Sequence, residues 1–265
     1  MDDTAPTRRR RPRAVLVFVG IGLVAGLLSG LFGVGGGTVI VPFLVLLLRF
    51  DQRLAAGTSL AAIVPTAAVG VVSYAVHGAV AWIPALILAA GAVIGAQLGT
   101  WLLPRLSQRL LRWCFVAFLV VVIVSLFVVV PSRDAVLELT WVTGPGLAVL
   151  GMITGVLAGL LGVGGGVVVV PALILLFGTS DLIAKGTSLL MMIPTAFSGT
   201  VGNVHRRNVD LFGAALIGVS ACTTTALGAW FSTLLDPFVG NVLFAVFLAV
   251  IAVQMAVRAV RGRGR

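Results

Sequence analysis

The chain has 265 residues, of which 60% are hydrophobic and 10% charged, with a mean hydropathy of +1.18. Soluble chains run at about 45–50% apolar and about 25% charged, and eight acidic with eighteen basic side chains cannot cover a water-facing surface of this size. Lipid must be the solvent for most of it. The net charge of +10 does not point to a nucleic-acid partner, because of where the charges lie. Arg8, Arg9, Arg10, Arg11 and Arg13 precede the first apolar run, and Arg258, Arg261, Arg263 and Arg265 follow the last. Such flanking clusters set orientation and meet anionic lipid headgroups.

In chain order, a basic tail (1–13) leads into a first membrane repeat (14–130) with apolar runs at 14–32, 38–50, 58–77, 80–103 and 111–130. A connecting loop (131–143) follows. The second repeat (144–260) has runs at 144–161, 167–178, 187–204, 210–234 and 238–260, and a short basic tail (261–265) closes the chain. The arginines before run 14–32 resemble the start of a secretory signal. No small-residue cleavage site precedes a soluble domain, however, and the run has a second copy deep in the chain, so it belongs to the folded protein. Cys114 and Cys222 lie inside apolar runs without metal or disulfide spacing and read as small buried hydrophobes.

A shift of 129 positions lays Gly22–Gly70 on Gly151–Gly199 without gaps, with 25 of the 49 positions identical. GLLSGLFGVGGGTVIVPFLVLLL meets GVLAGLLGVGGGVVVVPALILLF, Gly57–Leu60 meets Gly186–Leu189, and Pro65-Thr66-Ala67 meets Pro194-Thr195-Ala196. If each half crosses the membrane an odd number of times, the second half is inserted upside down. Both termini and the loops near 49–53, 104–112 and 205–210 then share one face, which holds sixteen of the eighteen Lys and Arg and leaves Arg133 and Lys185 opposite. The positive-inside rule makes that face cytoplasmic. Trp82, Trp101, Trp113, Trp141 and Trp230 fall near segment ends, where an amphipathic ring suits the interface. The expected fold is an all-α integral membrane protein of two inverted-topology repeats, each with a glycine-interrupted pair of segments that either re-enters or fully crosses.

Inverted repeats with interrupted segments are the pattern of secondary transporters. A helix beginning near Thr38 or Val167 would aim its N-terminal N–H groups at the preceding glycines, an arrangement that binds anions without a charged side chain. The triplets Gly35, Gly36, Gly37 and Gly164, Gly165, Gly166 are therefore candidate substrate contacts, with close helix packing as the competing role. Packing is the preferred role for Gly26, Gly30, Gly33 and their copies Gly155, Gly159 and Gly162. Thr58, Ser59, Thr187 and Ser188 open a segment in both halves, so they are either N-caps or site hydroxyls. Thr66 and Thr195, each after a proline that frees a backbone carbonyl, complete the candidate set. GVGGG lacks the Lys-Ser/Thr ending of a phosphate loop. No Asp or Glu falls well inside an expected span, which suits an anionic cargo. His77 and His205 read as solvated or capping residues, and Asn203, Arg206, Asn208 and Asp210 as a solvated loop. Nothing clusters as an enzyme site or a cofactor or metal site would require.

The doubled GLFGVGGG run with its following VP, the GTSL and PTA stretches, and HRRNVD together resemble the sulfite exporter TauE/SafE family of bacterial membrane permeases over about residues 14–260. That resemblance implies transport of a small sulfur-containing anion, such as sulfite, a sulfonate or sulfoacetate, across the inner membrane, with a coupling ion as a candidate second passenger. The alternatives are a transporter or channel for another small anion or sulfur compound, and a membrane scaffold or insertion factor.

Overall fold

The computed structural model describes residues 12–128 and 143–261. Arg8 to Arg11, Arg133, Trp141, most of the connecting loop and the final arginines, Arg263 and Arg265, lie outside them. Among the described residues the chain is helical without strands: α1 (Pro12–Phe32), α2 (Gly37–Leu47), α3 (Gln52–Ala75), α4 (Trp82–Leu102), a 3₁₀ turn (Leu103–Arg105), α5 (Gln108–Val128), α6 (Thr143–Leu161), α7 (Gly166–Phe177), α8 (Asp181–His205), α9 (Leu211–Leu234) and α10 (Pro237–Arg261). Six of these, α1, α3, α4, α6, α9 and α10, are long and apolar enough to cross a membrane. This is an all-α, multi-pass membrane protein. At 11 and 12 residues, α2 and α7 reach only about 17 Å at about 1.5 Å per residue, well short of a hydrocarbon core of about 30 Å.

Glycine sets which helices touch. Gly22, Gly26 and Gly30 press α1 onto the backbone of α9 at Ile217, Ala221 and Thr225. Their copies Gly151, Gly155 and Gly159 press α6 onto α4 at Leu88, Ala92 and Ala96. Any Cβ at these six positions would overlap a carbonyl oxygen of the partner helix, so only glycine permits the approach. Every partner lies 129 positions from its counterpart, and the chain duplication thus reappears as a duplicated packing scheme in which the first helix of each half clasps the fourth helix of the other. The central pair, α3 and α8, is antiparallel: Gly70 faces Leu189, and Gly199 faces Leu60. These two helices are enclosed by the others, while large apolar side chains such as Leu16, Val121 and Leu176 cover the outside, as lipid requires.

Two helix starts and the exposure of the cysteines differ from the sequence reading. Helices α3 and α8 begin six residues before the expected segments, capped by Asp51, whose carboxylate accepts from Leu54 N at 2.9 Å, and by Ser180, whose hydroxyl accepts from Ile183 N at 3.3 Å. Arg53 adds bonds to the carbonyls of Pro104 and Leu106, so the polar start of α3 is covered by the corner between α4 and α5. Cys114 is exposed and Cys222 half-buried, because the faces of α5 and α9 that carry them are not covered by other helices. The described tryptophans do sit exposed near helix ends, and Arg105 stacks on Trp101 with its guanidinium carbon 3.4 Å from the ring centre.

Candidate functional site

The two GVGGG runs form matching buried turns. Gly33, Gly35 and Gly36 have φ of 69°, 70° and 76°, and Gly162, Gly164 and Gly165 have φ of 74°, 77° and 89°. These left-handed values are open to glycine and strained for other L-residues. Each run therefore ends one helix (α1 or α6) and starts another (α2 or α7) within four residues. The N-caps of α2 and α7 are Gly36 and Gly165, and neither helix start receives a side-chain cap. By contrast α3, α8 and α9 are capped by Asp51, Ser180 and Asp210. Two helix N-termini with their partial positive charge are thus held inside the protein without a carboxylate or hydroxyl cap.

The turns meet each other. A Cβ on Gly37 would lie 2.6 Å from Val163 Cα, and one on Gly166 2.9 Å from the carbonyl oxygen of Gly33. Ser59 Oγ donates to the Gly162 carbonyl at 2.7 Å, and Ser188 Oγ donates to the Gly33 carbonyl at 3.1 Å. Each half thereby fastens the turn of the other through a fully buried serine. Ile63 and Met192, equivalent residues of α3 and α8, fill the space beside Gly35 and Gly164. Two cavities flank this centre, the second reaching Val167 beside the second turn. One of about 570 Å³ is lined by Val93, Ile94, Gln97, Leu98, Trp101 and Arg206, and an apolar one of about 210 Å³ lies between α5 and α7.

Against that geometry, the family model described as sulfite exporter TauE/SafE matches residues 2–126 and 147–265. The chain belongs to this family. TauE/SafE relatives include the probable membrane transporter protein YunE of Bacillus subtilis, 28% identical over 82% of this chain and 85% of the relative. A probable membrane transporter protein of Haemophilus influenzae is 31% identical over 91% of this chain and 97% of the relative. No solved structure matches the chain. The protein is a membrane transporter.

The residues singled out from the sequence fall into three groups in this TauE/SafE protein. The glycine triplets with Ser59 and Ser188 come together at the centre. Thr58 and Thr187 also face the opposite half, where their hydroxyl oxygens accept from the backbone N–H of Asp210 and Ala81, both at 3.0 Å. None of these four hydroxyls caps a helix: they lie about two turns inside α3 and α8. Thr66 and Thr195 are buried but bond back to the carbonyls of Ala62 and Met191, both at 2.8 Å. The segment 206–210 is not simply solvated, since Asp210 bonds Thr58 and the Asn208 carbonyl packs on Gly57. His77 and His205 each place Nδ1 2.8 Å from a carbonyl four residues back in their own helix. Because Thr58 satisfies a backbone donor of the other half, Thr58→Val and Thr187→Val are each expected to cost about 1–3 kcal/mol of stability. Thermal unfolding in detergent measures that loss.

Two neighbours of the first turn went unread. Ser29 and Thr38 are fully buried, and neither hydroxyl has a hydrogen-bond partner among the described residues. Their counterparts beside the second turn are Ala158 and Val167. These are the two polar-for-apolar exchanges within the doubled glycine run, so aligning the halves for their differences would have found them.

Proposed function

We propose that the protein exports a small sulfur-containing anion of the sulfite, sulfonate or sulfoacetate class, held where the two glycine turns meet. The observation that carries this reading is the convergence of two buried, side-chain-uncapped helix N-termini, since backbone N–H groups there offset an anion's desolvation without a local cation. In this reading Gly35, Gly36, Gly37, Gly164, Gly165 and Gly166 supply close backbone approach. Thr58 and Thr187, whose hydroxyl oxygens accept a backbone N–H, keep a proton to donate, while Ser59, Ser188, Thr66 and Thr195 would turn theirs from a backbone carbonyl to the anion. The family match supports the substrate class, since the family is one of sulfite exporters. Antiparallel α3 and α8 support opposite insertion of the two halves, with both termini on the cytoplasmic face of the inner membrane. Ile63 and Met192 would close the path between the turns, and the flexible thioether of Met192 suits a side chain that must swing aside.

Flux of labelled sulfite and organosulfonates in proteoliposomes, with imposed pH or sodium gradients, tests this function. Saturable flux of one of these anions is the expected result. Flux confined to other small anions would keep the transporter and discard the sulfur class.

A further inference from the structure

The two halves are near-copies in packing but not in chemistry, and the difference is concentrated on one side of the turns. Lys185 is the packing counterpart of Ala56. Where the backbone of Ala56 lies on Gly162, the Cα, Cβ and Cγ of Lys185 lie on Gly33, 2.5–2.8 Å from where a Cβ would be. Lys185 Nζ donates to Asp181 Oδ2 at 3.2 Å and to Ser232 Oγ at 2.9 Å. The lysine and aspartate side chains are only 12% and 4% exposed. Asp181 Oδ1 and the hydroxyl of fully buried Thr179 have no hydrogen-bond partner among the described residues. At the corresponding positions the first half has Gln52 for Asp181, Ala56 for Lys185, Leu103 for Ser232 and Phe50 for Thr179.

A buried ion pair contributes little to stability compared with a neutral, well-packed substitute. The first half holds the neutral pair Gln52 and Ala56 within the same helix packing, although the Gln52 amide is likewise buried without a hydrogen-bond partner among the described residues. The carboxylate here is also only half satisfied, which is costly in a buried site. We propose that Lys185 holds the transported anion and that Asp181 is its resident counterion, which gives up the ammonium and takes a proton when the anion arrives. This inference rests on the anion reading above and places the anion's charge partner beside the first turn, where Ser29 and Thr38 also lie. Balance is simple: the anion replaces Oδ2 as acceptor for Lys185 Nζ, and one solvated proton adds to the Asp181 carboxylate, so that no second negative charge remains beside the bound anion. Among the described residues the pair is faced by Tyr74 from α3 and Ser232 from α9, and the stem of Lys185 lies on Gly33. The Tyr74 hydroxyl donates to the Gly30 carbonyl at 2.7 Å. Because the complex holds one proton more than the empty protein, affinity rises as pH falls.

Methanesulfonate is a suitable probe because it stays ionised across the working pH range, and its binding to the full-length protein in detergent is measured by calorimetry. Wild type should bind more tightly as pH falls, approaching about tenfold per pH unit. Asp181→Asn should bind roughly tenfold or more tighter at alkaline pH and lose the pH slope. The double variant Asp181→Gln/Lys185→Ala copies the first half at these two positions, so it should stay folded yet bind roughly tenfold or more weakly. Wild-type affinity and slope in the double variant, or a slope that persists in Asp181→Asn, overturns the pair's role and leaves anion transport through the turns standing. Should the double variant fail to fold, the slope in Asp181→Asn decides alone. A wild type that binds neither methanesulfonate, sulfite nor chloride overturns this inference and the anion reading together.

Discussion

Gly162→Val and Gly33→Val are each expected to remove folded protein from the membrane altogether. Two separate costs act at these positions. Their φ values of 74° and 69° lie in the left-handed region, where a β-branched residue is strained by about 1–2 kcal/mol or more. The added side chain also has nowhere to go. A Cβ at Gly162 would overlap the α3 backbone at Ala56, and one at Gly33 would sit 2.6 Å from the Cα of Lys185 on α8. Neither neighbour is the far end of a flexible side chain, so the central helices themselves would have to separate. Overpacking of this kind adds about 1–3 kcal/mol or more, and the sum reaches the lower end of a domain's margin of about 5–15 kcal/mol. Gly78→Ala and Gly178→Ala provide the comparison. Both glycines are left-handed, at φ of 68° and 64°, but nothing lies within 4 Å of an added Cβ. They should cost only about 1 kcal/mol and leave abundance near wild type. Membrane abundance and monodispersity on size exclusion read the contrast. Normal, monodisperse Gly162→Val protein would mean that the turns do not fix the packing of α3 and α8.

Much of this was legible because duplication encodes itself twice. The offset of 129 positions found the glycine turns, and the same offset relates the bonds of Ser59 and Ser188 and those of Thr58 and Thr187. Glycine periodicity likewise gave Gly26, Gly30, Gly155 and Gly159 their role in helix contact. Gly33 and Gly162 also lie in close helix contact, against Lys185 and Ala56, but they are left-handed turn residues as well, and local sequence does not show that second role. The starts of α3 and α8 were missed for a different reason. Asp51, Gln52 and Arg53, like Asp181 and Lys185, read as loop residues when each segment is judged by its own hydropathy. In the fold Gln52, Asp181 and the stem of Lys185 are covered by other helices, and Asp51 stays exposed as the cap of α3, which no single-segment measure can register. The buried Lys185–Asp181 pair was hidden by the same effect. Its signal was the contrast with Ala56 and Gln52 at otherwise matched positions.

Opposite insertion of the halves makes an all-or-none prediction at two pairs of equivalent residues. Gly78 and Arg207, 129 positions apart, both sit in left-handed turns after a central helix, with φ of 68° and 56°. Ser107 and Asp236, also 129 apart, lie in the connections before α5 and α10. All four residues are exposed. In a background lacking Cys114 and Cys222, a single cysteine at Arg207 or Ser107 should react with a membrane-impermeant maleimide only from the cytoplasmic face. One at Gly78 or Asp236 should react only from outside. The physical basis is the packing: α3 and α8 are equivalent helices that run antiparallel, so if both cross the bilayer their C-terminal turns emerge on opposite faces. Loop charge assigns the faces, because Arg105, Arg109, Arg206 and Arg207 all fall on the side given to the cytoplasm. Each equivalent pair acts as its own control, since the two residues share local structure and differ only in the side of the membrane they reach. Labelling of Gly78 and Arg207 from the same face would remove the inverted arrangement, and with it the placement of both uncapped helix starts at one central anion site.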